Sequence, residues 1–103
     1  MVAISCPKKS SKQRVLEILQ LALGDVMCHH SNYIFFEGQQ IKIKDGWVRQ
    51  SVFCNPMITG STKGKARLRE LRQELADKYI FEKRHRRENG RIVWEYRILS
   101  KSI

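Results

Sequence analysis

The sequence is poor in the residues that carry chemistry on their own. Its 103 residues contain three cysteines, two prolines and ten carboxylates. Cys6, Cys28 and Cys54 are odd in number and far apart, which argues against a disulfide framework and for a reducing compartment. No G-x-S-x-G elbow, phosphate-binding loop, dinucleotide fingerprint or paired-acid motif is present. Asp25, Glu37 and Asp45 are scattered, whereas a metal-dependent nuclease needs clustered carboxylates. The run Cys28-His29-His30 lacks the paired ligand spacing of a zinc site, and adjacent histidines point apart. It is read as a partly buried cysteine beside two surface histidines. These absences predict a protein that is not an enzyme and has no cofactor and no metal. No apolar run approaches the ~20 residues that span a membrane, and no signal peptide is visible. The expectation is a soluble cytoplasmic protein, nucleoid-associated if it is a regulator.

What the chain has is positive charge. The formal net charge is +10, and hydrophobic residues make up 42%, ordinary for a globular fold. Residues 1–60 carry 7 Lys+Arg against 4 Asp+Glu, while residues 61–103 carry 13 against 6. The excess is therefore concentrated in the second stretch. A solvated basic surface would account for it, but so would a polyanionic partner.

That stretch, 61–99, also has the clearest patterning. Leu68, Leu71 and Leu75, with Tyr79 beyond them, make one apolar stripe at helical spacing. Thr62, Ala66, Arg69, Glu70 and Gln73 lie on the opposite side of the wheel. The helix is predicted from a cap at Ser61 or Thr62 to about Lys78. A two-stranded hairpin follows, turning at Asn89-Gly90, the dipeptide best suited to positive φ at both central positions. The turn predicts the register: Glu88 opposite Arg91, Arg86 opposite Val93, Arg84 opposite Glu95, Glu82 opposite Arg97 and Ile80 opposite Leu99. The other face then carries Phe81, Lys83, His85 and Arg87 against Ile98, Tyr96, Trp94 and Ile92. Three opposite-charge pairs fall across one face and Phe81, Tyr96 and Ile98 gather on the other, so charge pattern and turn agree.

A helix with a polar outer side followed at once by a basic hairpin resembles the recognition helix and wing of winged helix-turn-helix DNA-binding domains. The runs ARLRELRQEL (66–75) and WEYRIL (94–99) look most like the form found in bacterial, phage and restriction-associated proteins. The resemblance implies an α+β winged helix, with a three-helix core, a small antiparallel sheet and the wing hairpin at about 79–99.

The rest of the chain is read in order. Residues 1–9 show no clear element and are taken as a flexible tail, whose Lys8 and Lys9 cluster with Lys12. Ser10 and Gln13 read as a capping box, and Val15, Leu16, Ile18, Leu19, Ala22 and Leu23 recur at helical spacing to a stop at Gly24. The first helix is predicted at about 10–23. Residues 33–36 and 41–44 both look like strands. Either an extra hairpin at 33–44 or a longer loop is inserted there, and which strand joins the wing is open. Asp45 reads as the cap of a second helix at about 46–54, with Trp47, Val48, Val52 and Phe53 on one face and Asn55-Pro56 ending it. Gly64 either permits close backbone approach or is simply tolerated at a helix start. No linker or repeat divides the chain, so 1–103 is read as one domain.

The candidate site follows from these placements. A major groove admits one helix and is read from its N-terminal turns. Thr62, Lys63, Lys65, Ala66, Arg69, Glu70 and Gln73 are the candidate DNA contacts on the third helix. Arginine can grip guanine in two places, and glutamine can grip adenine. Lys65, Arg67 and Arg72 flank the apolar stripe and suit phosphates or structure. Arg67 with Glu70 or Glu74 would make an ordinary surface pair. At the hairpin, Arg84, His85, Arg86, Arg87 and Arg91 suit a minor groove or its phosphates, although basic residues also protect a strand edge from aggregation. The expected function is sequence-specific binding of double-stranded DNA, as a transcriptional regulator or the DNA-targeting part of a bacterial or phage system. A homodimer or larger complex is compatible with it. The alternatives are a protein-interaction adaptor and an RNA-binding module.

Overall fold

The computed structural model describes residues 10–28 and 32–101. Helix α1 spans Ser11–Cys28. Ser10 starts it, its Oγ accepting the Gln13 backbone N–H at 3.2 Å. Val15, Ile18, Leu19 and Ala22 are buried along one stripe. The helix does not stop at Gly24. It runs through that residue, at which an added Cβ would meet no atom within 4 Å.

Three strands then form a meander: β1 Tyr33–Phe36, β2 Gln39–Lys44 and β3 Trp47–Arg49. Their connections are two-residue turns with positive φ at both positions, 48° and 80° at Glu37-Gly38 and 52° and 82° at Asp45-Gly46. Such turns match the twist of antiparallel strands, which is why each ends in glycine. The helix expected over 46–54 is thus corrected. Asp45 is a turn residue and caps nothing. Trp47–Arg49 is a strand, pairing Val48 with Ile43 on one side and with Tyr96 on the other. Two neighbouring strands satisfy its backbone, and only Gln50–Phe53 remains for the short helix α2.

A second one-turn helix, α3, spans Pro56–Thr59. Asn55 caps it, its Oδ1 accepting the Met57 N–H at 2.9 Å. The buried Thr59 Oγ1 lies 2.9 Å from the Phe53 carbonyl and 3.1 Å from that of Ser61, tying α2 to the segment that follows α3. Helix α4 spans Gly64–Glu74. A Cβ at Gly64 would lie 2.3 Å from the carbonyl oxygen of Phe53, so the glycine marks a close backbone approach between α4 and α2. Leu68 and Leu71 are buried. The helix ends before Lys78, because Leu75 closes the last turn and a turn over 75–78 delivers Tyr79 into the next strand.

The hairpin consists of β4 Tyr79–Glu88 and β5 Arg91–Ser100. It turns at Asn89-Gly90 with φ of 52° and 78°. Its register pairs Glu88 with Arg91, Arg84 with Glu95, Glu82 with Arg97 and Ile80 with Leu99, as the turn predicts. The whole sheet is antiparallel with five strands in the order β1-β2-β3-β5-β4. One face carries Ile34, Phe36, Ile41, Ile43, Val48 and Ile98 into a core shared with α1, α2 and α4. The winged helix with a three-helix core and a small sheet is therefore not the architecture. Four helices among the described residues pack on a five-stranded sheet. The physical reason is the pair of X-Gly turns at 37–38 and 45–46. They build a three-stranded meander and join it to the hairpin through β3. Neither 33–36 nor 41–44 pairs with the hairpin directly. No helix among the described residues is long and apolar enough to cross a membrane.

Candidate nucleic-acid interface

Strand parity divides the hairpin's basic residues between two faces. On the outer face, away from the helices, lie Glu82, Arg84, Arg86 and Glu88 of β4 and Arg91, Glu95 and Arg97 of β5. Arg49 of β3 stands opposite Glu95 on this same face. Except for Arg91, these side chains neutralise one another. Glu95 is only 2% exposed, and its Oε1 accepts from Arg84 Nε at 2.9 Å and Arg86 Nε at 3.1 Å. Arg86 also meets Glu88 at 2.8 Å, and Arg49 Nη2 donates to both Glu88 oxygens at 2.8 and 2.6 Å. Arg97 donates to Glu82 at 2.6 Å. The guanidiniums of Arg84 and Arg97 lie 4.3 and 4.4 Å from the centre of the Trp47 ring, which they cover. Two ionisations record the pairing. The bonds from Arg49 hold the Glu88 carboxyl below its ordinary value, and the bond to Glu95 raises Arg86 above its own.

The other face of the hairpin turns toward the helices. At its base Phe81, Tyr96 and Ile98 pack into or against the core. Tyr96 stands edge-on to Phe53 at 6.1 Å and donates its hydroxyl hydrogen to Gln50 Oε1 at 3.0 Å. Burial pushes its phenol up, so it stays a donor. Farther out, between α4 and β4, lies a cleft of about 160 Å³, lined by Lys65, Leu68, Arg69, Arg72, Phe81, Lys83 and Tyr96 and also by Glu82, whose carboxylate is paired with Arg97. Its floor is apolar and its rim carries four cations. Beyond it, toward the turn, the same face presents Lys83, His85 and Arg87 of β4 beside Ile92 and Trp94 of β5. Among the described residues, none of Lys65, Arg69, Arg72, Lys83, Arg87 and Arg91 forms an ion pair.

The residues picked out from the sequence are therefore scattered. Lys65 and Arg69 come together in the cleft. His85 and Arg87 continue its surface, while Arg84 and Arg86 occupy the opposite face in the charge chain. Arg91 is exposed beside the turn on the outer face. Thr62 and Lys63 precede α4 and are exposed, the Lys63 N–H being taken by Ser61 Oγ at 3.0 Å. Ala66 is half-buried and Gln73 is exposed. Glu70 is held by Arg67 at 2.8 Å, one turn back on the helix. Lys12, assigned to a basic cluster with Lys8 and Lys9, instead pairs with Glu74 at 2.7 Å, and Lys8 and Lys9 lie outside the described residues.

Three residues of this surface were not on the sequence-derived site: Arg72, Lys83 and Trp94. Lys83 and Trp94 could have been found from the predicted register, since both share a face with His85 and Arg87. Arg72, which the sequence marks only as flanking the apolar stripe and suited to phosphates or structure, reaches the cleft because of where α4 stands against β4.

Among the described residues no group of three His, Cys, Asp or Glu side chains could hold a metal ion. His29, His30 and the Cys28 side chain lie outside those described. No family model, curated protein or solved structure matches this chain.

Proposed function

We propose that this protein binds nucleic acid, double-stranded DNA in the first place, across α4 and the helix-side face of the hairpin. One observation carries the reading: the carboxylates nearest this surface are occupied by other cations, while Lys65, Arg69, Arg72, Lys83 and Arg87 are not. Unneutralised cations on one continuous surface repel one another, and a line of phosphates relieves that repulsion. The cleft supports the same view. Its 160 Å³ is below the range that encloses a small ligand, and its open basic rim suits a backbone running past it. Arg69 and Gln73 are the side chains that would read bases, the other cations anchoring. The biological role that fits is a cytoplasmic DNA-binding regulator or the DNA-targeting part of a larger assembly. The deciding experiment is a salt titration on random and on selected duplexes. Four phosphate contacts, from Lys65, Arg72, Lys83 and Arg87, predict a slope of log K against log salt of about −3.6. A slope near zero removes the reading.

A protein adaptor is the second reading, favoured by β1. Tyr33 and Phe35 are 47% and 65% exposed on this edge strand, with ring centres 6.4 Å apart. Partner binding that ignores salt, with no duplex binding, would support it.

A further inference from the structure

We propose that Trp94 and His85 form a stacking platform for an unpaired nucleobase, so that the preferred ligand is a duplex continuing into a single strand. The inference rests on the DNA reading above and specifies its ligand. The protein has two tryptophans. Trp47 is 7% exposed beneath two guanidiniums, whereas Trp94 is 39% exposed near the outer end of the hairpin. No core requirement puts it there, since the core cluster ends at Tyr96 and Ile98 on the same strand. Its surroundings are particular. The His85 ring is directly across the hairpin, centre to centre 4.8 Å and tilted by 55°. Lys83 Nζ lies 5.7 Å from the indole centre. Ile92, next on the same face, is 59% exposed, and its cross-strand partner is Arg87.

Aromatic faces interleaved with cations are what a single strand needs. Its bases offer π-faces to stack on, and its phosphates lie beside them. Within a duplex both faces of every base are already covered by neighbouring pairs. An indole can therefore stack only where a base is terminal or unpaired. The cleft cations lie on the same side of the sheet as Trp94, so a duplex anchored along α4 would direct its end or its single-stranded continuation onto the indole. A protein partner would find an exposed tryptophan attractive too, but it would have to bring carboxylates to Lys83 and Arg87.

The test uses the full chain and three DNA probes: a blunt two-stranded duplex without a loop, the same duplex with a ten-thymine overhang, and oligothymidine alone. The overhang duplex should bind about tenfold tighter than the blunt one, the scale of one stacked base. Its binding should quench tryptophan emission. Trp94→Ala should abolish the tenfold preference, so that the overhang duplex binds no tighter than the blunt one. Trp94→Phe should keep most of the preference but show no quenching, since only Trp47 still emits. Equal affinity for blunt and overhang duplexes, with steep salt dependence retained, would overturn the stacking role and leave the duplex reading standing. Oligothymidine bound with quenching, and no duplex bound, would support stacking and remove the duplex reading. Absence of binding to all three probes would overturn both. Equal weakening on every probe in a folded Trp94→Ala variant would reduce Trp94 to a structural residue and overturn the proposal.

Discussion

Arg84 donates its Nε hydrogen to Oε1 of Glu95 at 2.9 Å, across the hairpin and on the face away from the helices. The carboxylate is 2% exposed and the arginine 38%. The acid is thus held out of water by the cations that satisfy it. Glu95→Ala removes the acceptor of two charge-assisted bonds, while both arginines can turn to solvent. The expected loss is about 1–3 kcal/mol, at the scale of a hydrogen bond to a charged group and discounted for exposed partners. Urea denaturation measures it. Glu95→Gln, which keeps an acceptor, should lose less. An unchanged midpoint in Glu95→Ala would show that the buried carboxylate contributes nothing to stability.

Glu88 extends the same chain and predicts an acid dependence. Its carboxyl is held low chiefly by the bonds from Arg49, with Arg86 adding to the effect. A carboxyl whose value is lower in the folded than the unfolded state contributes stability that is present above the unfolded value. That contribution is lost as pH falls through the folded one. The window therefore opens below about pH 4.5, the ordinary value. A carbon-13 titration of the side-chain carboxyl should place the Glu88 midpoint below that pH. Arg49→Ala should move the midpoint upward. No movement would remove Arg49 as the cause.

Two glycines should respond in opposite directions to the same substitution. At Gly64 an added Cβ would meet the Phe53 carbonyl carbon at 2.4 Å and its oxygen at 2.3 Å. Backbone must then shift, and α4 must move off α2. Gly64→Ala should cost about 1–3 kcal/mol, the usual scale of overpacking. At Gly24, within α1, the added methyl group meets open space. Gly24→Ala should stabilise by about 0.5–1 kcal/mol, through helix propensity alone. Thermal or chemical denaturation distinguishes the signs. A destabilised Gly24→Ala would mean that α1 does not continue through this residue.

The hairpin was legible because its information is local. Asn89-Gly90 sets the turn, and charge pairs such as Glu82 with Arg97 repeat the register one strand apart. Trp47–Arg49 was not legible for the opposite reason. Trp47, Val48, Val52 and Phe53 suit one face of a helix, and the strand's partner, Tyr96, is near the other end of the sequence. Asp45-Gly46 was the available signal, being the same kind of dipeptide turn as Asn89-Gly90. Gly24 suits a helix stop by its local pattern, but α1 runs through it, because a glycine is tolerated inside a helix that packs well. For the site, parity along β4 was already implied by the register. Which face the helices cover was foreshadowed by Phe81, Tyr96 and Ile98. The register already set Arg84 opposite Glu95; what no local pattern could supply was that Glu95 also draws in Arg86, or that Arg72 lines the cleft.

Arg86 and Arg87 are neighbours in sequence and should behave differently. Composition alone treats them as one basic cluster at a turn. Successive residues of a strand point to opposite faces, however. Arg86 is committed to Glu95 at 3.1 Å and to Glu88 at 2.8 Å. Arg87 is exposed on the helix-side face, opposite Ile92 and near Trp94. If that face meets DNA, Arg87→Ala should weaken every duplex alike and make the salt slope shallower by about one. Arg72→Ala and Lys83→Ala should do the same from the cleft. Arg86→Ala removes a cation already spent on two carboxylates, so affinity and slope should hold while stability falls. Arg69→Ala should instead weaken a selected duplex by about 1–3 kcal/mol and leave a scrambled one nearly unchanged. The measurement is a salt titration of each variant on both duplexes, with denaturation as the check on folding. If Arg86→Ala flattens the slope and Arg87→Ala does not, the outer face is the one that meets DNA. The helix-side assignment would then be wrong.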